Sequence, residues 1–206
     1  MSHEFLSRII LVFGLLSVFA IIAEEMPCTA IVQDGTLLAG NVYYASDWHQ
    51  EPGQLVGAGT NRFVISRHAF DSSEFRVHAR LTLERREQTA ATFCMGKYAL
   101  GLDGSAEYPY FFEVQGVQPV RRIAAAVRFS PGEEFLFEAA GKGGRVVFSV
   151  NGEVIADCAI DTTEPLCFGF RPQRNTIRIK EFFVYGKSLG ENTMQIEQLN
   201  IKQLPS

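Results

Sequence analysis

The chain has 206 residues, a formal net charge of −4 at pH 7 and an isoelectric point near 5.6, which suits one domain with or without a tail. This mild acidity excludes a non-specific nucleic-acid binder, because such proteins need clustered Lys and Arg to displace the counterions of phosphates. With 47% hydrophobic residues and 17 Phe beside one Trp, the chain can bury a core, and its aromatic balance favours β structure.

The first 23 residues have the pattern of a secretory signal peptide. Arg8 precedes an uncharged apolar run at 9–23, which is shorter than the ~20 residues of a membrane span and fits the hydrophobic part of a signal. We expect a mature chain that begins between Ile21 and Pro27, and therefore a secreted, periplasmic or cell-envelope protein. The alternative is an uncleaved N-terminal anchor, which is the only membrane contact that the sequence predicts.

The clearest predicted strand covers residues 74–84. Its apolar side chains alternate with polar ones at every second position: Phe75, Val77, Ala79, Leu81 and Leu83. A period of two is expected of a strand with one buried face and one wet face. Further along the chain, similar short runs predict strands at 89–94, 98–102, 110–115 and 134–139.

A β-hairpin is predicted around Asn151-Gly152. Both residues tolerate the positive φ of a type I′ turn, and they separate two β-rich runs at 145–150 and 153–156. A two-residue turn places Val150 opposite Glu153, and we expect Phe148 opposite Ile155.

The last predicted strands lie at 166–171 and 176–185. In the second of these the apolar parity changes, which predicts a bulge near Glu181. Residues 187–206 are polar and less regular, and they form either a last strand or a docking segment. Many short strands without intervening helices indicate an all-β fold, an antiparallel β-sandwich over 28–186 with a C-terminal tail at 187–206.

Four cysteines permit two disulfides in an exported chain: Cys28, Cys94, Cys158 and Cys167. Cys158 and Cys167 lie on adjoining predicted strands, so we expect a bridge between them. Cys94 sits in an apolar run, where a buried, unbridged cysteine is the alternative.

No catalytic motif is found in the sequence. The carboxylate run of sandwich glucanases is missing, as is a nucleophile elbow, and the four histidines are scattered. For His78, on the polar face of the strand at 74–84, we expect an exposed or satisfied imidazole. No cofactor and no metal are expected; the alternative is a calcium ion held at a sandwich rim by Asp71 or Asp103.

The order of several short motifs resembles that of concanavalin A-like lectin and glucanase domains. The motifs are Asp47-Trp48 before Gly53-Gln54-Leu55-Val56-Gly57, the strand at 75–83, the Asn-Gly hairpin at 146–155, Gly169-Phe170-Arg171-Pro172, and Phe182-Phe183-Val184. The order is most similar to the non-catalytic module of bacterial sialidase-like proteins. This resemblance implies a concanavalin-like jelly roll, but not sialidase activity, because the Asp-box repeats of the catalytic propeller are missing.

The sequence therefore predicts a non-catalytic module whose partner is a carbohydrate. The alternatives are a structural or protein-interaction sandwich and, third, an enzyme related to glycoside hydrolases. Sugar sites combine an aromatic face with planar donors, and the candidate ligand-binding residues are Trp48, Arg62, Arg171 and Arg174. Three of them have a stated structural alternative: Trp48 caps the core, Arg171 pairs with a carboxylate, and Arg174 is solvated.

Overall fold

Two antiparallel sheets form the protein in a computed structural model, which describes residues 26–44, 47–59, 63–85, 91–102, 110–113, 121–122, 129–172 and 174–191. The larger sheet contains β1 (Cys28–Gln33), β2 (Thr36–Leu37), β4 (His49–Glu51), β5 (Gln54–Ala58), β7 (His68–Leu83), β12 (Glu134–Lys142), β13 (Arg145–Val150), β14 (Glu153–Ala159) and β16 (Thr176–Glu191). The smaller sheet contains β3 (Val42–Tyr44), β6 (Val64–Ser66), β8 (Thr92–Met95), β9 (Tyr98–Gly101), β10 (Tyr110–Glu113), β11 (Arg121–Arg122) and β15 (Phe168–Arg171).

The strand order shows how distant parts of the chain become neighbours. In the large sheet the order is β14-β13-β12-β7-β16-β1-β2, and β5 pairs with β16 and with β4. In the small sheet the order is β11-β10-β9-β8-β15-β6-β3. The only helical segment among the described residues is a 3-10 turn at Ala39–Asn41, and no described helix has the length and apolar character to cross a membrane. The predicted all-β sandwich is confirmed.

Phenylalanine rings fill the space between the sheets. Phe93 of β8 packs against Phe137 of β12 with ring centroids 4.9 Å apart, and Phe170 of β15 packs against Phe182 of β16 at 5.0 Å. All four rings are 0% exposed. The alternation of β7 turns its apolar side chains into the same core, as the period of two predicts.

The predicted hairpin forms, with one correction to its register. Asn151 and Gly152 have φ values of 51° and 80°, as a type I′ turn requires, and Val150 faces Glu153. Phe148, however, faces Ala156 instead of Ile155, because the register shifts between Phe148 and Ser149. Turn chemistry determines the pairing next to the turn, but it does not reveal a bulge two residues away.

The two central strands of the large sheet are longer than predicted. The bulge expected near Glu181 is confirmed by the register shift between Ile179 and Glu181. Two further shifts follow beyond Gly186, and β16 continues to Glu191 while it pairs with the beginning of β7. These irregularities break the period of two, so sequence periodicity did not extend either strand, and the predicted end of the sandwich at residue 186 falls within β16.

Candidate functional site

Three of the four predicted site residues lie at one end of the sandwich. Here β15 of the small sheet ends at Arg171 and β16 of the large sheet begins at Thr176, with Pro172, Arg174 and Asn175 between them. Trp48 reaches the same end, since its ring covers Gly57, which pairs with Ile177 of β16. We call this end the rim and define it by Trp48, Arg85, Arg171, Arg174 and Asn175. Arg62 lies outside the described residues.

Asn175 holds the rim together. Its side chain is 3% exposed and accepts the backbone N–H of Arg85 at 3.1 Å through Oδ1, while its Nδ2 donates to the carbonyl of Arg85 at 2.8 Å. The backbone N–H of Asn175 donates to Pro172 O at 2.9 Å, which closes the crossing turn. The sequence did not predict a role for Asn175; an Asn after a Pro-containing turn was the only local signal.

Trp48 packs against the core from the rim. Its ring leaves no room for a side chain at Gly57, because a Cβ there would collide with the indole. The residue is partly buried, contacts the main hydrophobic cluster, and has a shielded Nε1 with no hydrogen-bond partner among the described residues. This position is the one that the core-cap alternative predicts. The ring face turned to Gly57 cannot stack on a ligand.

Arg171 is buried on the outer face of the small sheet. It is 1% exposed, and its guanidinium carbon lies 5.2 Å from the centre of the Phe63 ring. Burial lowers the pKa of Arg171 from its usual value. Ile65 and Thr92 on the same face are also buried, so the described part of this face is shielded and does not offer a ligand direct access to Arg171.

The cysteines are arranged differently from the prediction. No disulfide links Cys158 to Cys167 in the structure. Cys158 belongs to the core between the sheets, whereas Cys167 lies with Cys94 in a separate cluster on the outer face of the small sheet. Cys94 pairs with Gly169, two residues after Cys167, and burial raises the pKa of Cys94 to about 12. The expected bridge is therefore corrected: Cys167, directly before β15, packs on the outer face of the small sheet, whereas Cys158 packs in the core between the sheets.

Two arginines on the large-sheet side of the rim differ in their surroundings. Arg178 donates to Glu51 at 2.6 Å and to Glu84 at 2.8 Å, and its hydrogen bonds are the main reason that the pKa values of both carboxyls are lowered. Arg174 is exposed in the crossing turn, and no carboxylate among the described residues pairs with it. The solvated position expected as the alternative for Arg174 is the observed one.

The outer face of the large sheet carries an ion-pair network. His78 lies between Glu138, at 3.7 Å from Nδ1, and Glu181, at 3.5 Å from Nε2. Arg76 bonds Glu138, and Arg80 bonds Glu181 at 2.9 Å. His78 thus has partners, as expected. The alternating polar residues of β7 predicted this wet face, but their carboxylate partners come from strands that only the sheet order brings together.

Glu138 gives this network a pH dependence. Hydrogen bonds from His78 and then Arg76 lower the pKa of Glu138 from 4.5 to about 2. A carboxyl with a lowered native pKa stabilises the fold above its unfolded pKa, and the stabilisation is lost as the pH falls through the native value. Between about pH 4.5 and pH 2 the protein therefore loses stability through this group.

Glu138→Gln is expected to lower the free energy of unfolding at pH 7 by about 1–2 kcal/mol, reduced from the full linkage value because the carboxylate is partly solvated. The difference from the unmodified protein should vanish near pH 2. Urea unfolding at a series of pH values measures it. Glu74→Gln is the matched control, because Glu74 pairs with Lys142 on the exposed surface and should cost less than about 1 kcal/mol. An equal loss for both variants at pH 7 would contradict the assignment.

The described residues contain no metal-binding group. No cluster of three His, Cys, Asp or Glu side chains is placed to hold an ion within that part of the chain. Asp71, one of the two calcium candidates, instead accepts the backbone N–H of Ser73 at 2.8 Å and its hydroxyl at 2.6 Å. Asp103 lies outside the described residues.

Solved structures share this fold, although no protein-family model and no curated protein matches the sequence. The carbohydrate recognition domain of Emp46p superposes with a TM-score of 0.58 at 9% identity, over 77% of this chain and 96% of that domain. The kappa-carrageenase of Pseudoalteromonas carrageenovora gives 0.53 at 9% identity, over 79% and 96%. The sialidase of Trypanosoma rangeli gives 0.50 at 12% identity, over 79% of this chain and 31% of the sialidase. At these identities the likeness shows the fold alone.

Proposed function

We propose that this chain, whose fold is of the concanavalin-like lectin/glucanase type, is a non-catalytic carbohydrate-binding β-sandwich of the secreted, periplasmic or cell-envelope space. The observation that carries the proposal is its superposition on 96% of the carbohydrate recognition domain of Emp46p. That domain is a recognition module by its name, and this chain matches nearly all of it. The kappa-carrageenase, solved with a tetrasaccharide of kappa-carrageenan, adds a second glycan-related protein of the same fold.

The rim is the surface that supports binding best. The outer face of the small sheet is shielded where it is described, since Thr92 and Arg171 are at most 2% exposed. On the outer face of the large sheet, the arginines of β7 already bond carboxylates of the neighbouring strands, Arg76 with Glu138 of β12 and Arg80 with Glu181 of β16. The rim, in contrast, presents an exposed guanidinium at Arg174, a planar donor of the kind that recognises sugar substituents.

The two described carboxylates beside the rim favour binding over catalysis. A glycosidase needs one carboxyl with a raised pKa that remains protonated as the general acid. Glu51 and Glu84 both bond Arg178, and the pKa of each is lowered instead. Both therefore stay ionised near neutral pH and are poor general acids.

The charge-free run at 9–23 supports the proposed export. Intact-mass analysis of the exported protein tests it, and the expected mass lacks the first 20 to 26 residues. An exported protein that retains Met1 would contradict cleavage and favour the uncleaved anchor.

The carbohydrate proposal is tested with a glycan array probed with the purified mature protein. We expect retention of a limited set of glycans and no turnover of a chromogenic glycoside panel above the protein-free rate. Phe183→Ala is a suitable control, because Phe183 lies on the outer face of the large sheet near His78, away from the rim, and its loss should leave the array pattern unchanged. A folded protein that retains no glycan would overturn the proposal in favour of the structural or protein-interaction alternative, and glycoside turnover would favour the enzyme.

A further inference from the structure

We propose that Cys94 and Cys167 form a disulfide when the chain folds in an oxidising compartment, and that Cys28 and Cys158 remain thiols. The inference does not depend on carbohydrate binding. It follows from the export proposed above, but refolding with an oxidant tests the pairing without export. The pairing differs from the one predicted from the sequence, because the sheet order changes which cysteines are neighbours.

Cys94 and Cys167 pack together on the outer face of the small sheet. The structure holds both as thiols; both are at most 3% exposed, and they share one cluster with Phe63 and Ile65. Cys94 belongs to β8, and Cys167 lies directly before β15, the strand that pairs with β8. The two thiols are close enough to interact electrostatically, since Cys167 contributes to raising the pKa of Cys94 after the larger effect of burial.

The strand register leaves the line between the two thiols open. Cys94 is paired with Gly169, and the backbone N–H of Gly96 donates to the carbonyl of Cys167 at 2.8 Å. Each cysteine therefore has a glycine across from it, and the two cysteines are diagonal neighbours. Diagonal neighbours lie about 7–8 Å apart, and a disulfide spans up to about 6.8 Å between Cα atoms. Because Cys167 precedes the regular part of β15, a local shift of about 1 Å there closes the bridge.

The other two cysteines lie too far away to compete. Cys158 packs in the core between the sheets, so the small sheet itself separates it from the pair. Cys28 is exposed on β1 of the large sheet, and four strands lie between β1 and the strand that carries Cys158. At about 4.8 Å for each step between neighbouring strands, Cys28 and Cys158 are roughly 24 Å apart. Any bridge to either of them would require the sheets to rearrange.

A small-molecule disulfide such as oxidised glutathione balances the reaction. The thiolate of one cysteine attacks a sulfur of the oxidant and releases one glutathione thiolate. The thiolate of the second cysteine then attacks the mixed disulfide and releases the other. The two electrons that the cysteines lose reduce the oxidant to two glutathione thiols, which take up the two protons. Burial raises the pKa of Cys94 to about 12, and the thiolate is the reactive form, so the exchange takes place in the folding chain before the cluster closes.

The test refolds the reduced protein in oxidised and reduced glutathione, and then counts the thiols that iodoacetamide alkylates, by intact mass and peptide mapping. We expect alkylation of Cys28 alone in the native state, and of Cys28 and Cys158 after unfolding without reductant. Reduction should then make all four cysteines reactive. The thermal midpoint of the bridged protein should exceed that of the reduced protein by about 5–10 °C.

Three variants separate the pair from the other cysteines. Cys94→Ala and Cys167→Ala should each abolish the linked peptide and the effect of reductant on the thermal midpoint. Cys158→Ala is the matched control, because it removes a buried cysteine outside the pair and should leave the linked peptide in place.

The outcomes distinguish the pairing from the compartment. A peptide that links Cys94 to Cys167 and persists in Cys158→Ala supports the proposal. Alkylation of all four cysteines in the unfolded, unreduced protein overturns it, as does a linked peptide that contains Cys28 or Cys158. A bridge that forms on refolding but is missing from the exported protein overturns the oxidising compartment while the pairing stands.

Discussion

Phe93→Ala is expected to lower the free energy of unfolding by about 3–5 kcal/mol, the usual cost of removing a buried aromatic ring. Phe93 is 0% exposed and joins the two sheets: its ring lies 4.9 Å from Phe137, 5.4 Å from Phe170 and 6.2 Å from Phe168. The substitution leaves a cavity with several unpaired ring faces, which strand backbones cannot close without breaking their ladders. For a domain with about 5–15 kcal/mol of stability, this is a large fraction.

Urea unfolding measures the Phe93 effect as a lowered midpoint at constant slope. Phe93→Leu refills part of the cavity and should recover much of the loss. Phe183→Ala removes the same number of atoms from the half-exposed outer face and should cost markedly less. A cost for Phe93→Ala no greater than that for Phe183→Ala would show that the two sheets do not pack through this ring.

Trp48→Ala is expected to cost about 2–4 kcal/mol, slightly less than a fully buried aromatic because Trp48 is only partly buried. The ring seals the core over Gly57, and its removal admits water to the ends of β5 and β16. This outcome would identify Trp48 as a core cap. If the thermal transition stays nearly unchanged while glycan binding disappears, Trp48 is instead a ligand platform.

Trp48→Phe keeps an aromatic ring at this position but removes the indole Nε1. The indole Nε1 is shielded and has no partner among the described residues, so deleting it with the five-membered part of the indole removes a desolvation cost and offsets part of the lost contact area. We expect this variant to differ from the unmodified protein by less than about 1.5 kcal/mol. Tyr43→Ala is the control for a surface aromatic, since Tyr43 is 46% exposed, and its effect should stay near ±0.5 kcal/mol.

The strands that form the sandwich also hold the rim in place. Asn175 bonds backbone groups at Arg85, and that segment follows directly on β7, the central strand of the large sheet. The arginine positions are therefore fixed by the most extensively paired part of the fold, which is the arrangement that a recognition surface needs to limit the entropy cost of binding.

The local amino-acid sequence by itself determined the regular strands and the regular hairpin turn. The alternation from Phe75 to Leu83 predicted a one-sided strand, and Asn151-Gly152 predicted the type I′ hairpin, because both signals depend only on residues adjacent in sequence. The parity change in β16 likewise predicted the bulge near Glu181. Together with the absence of helical periodicity, these signals established an all-β sandwich.

Only the tertiary structure decided which segments meet, because sheet order is set by long-range packing and not by local period. It brought Asn175 to Arg85 and Trp48 to Gly57, and it placed Cys167 beside Cys94 instead of Cys158. Arg171 is buried because it ends a strand on a covered face. Arg174, three residues later, is exposed because it lies in the turn between the two sheets.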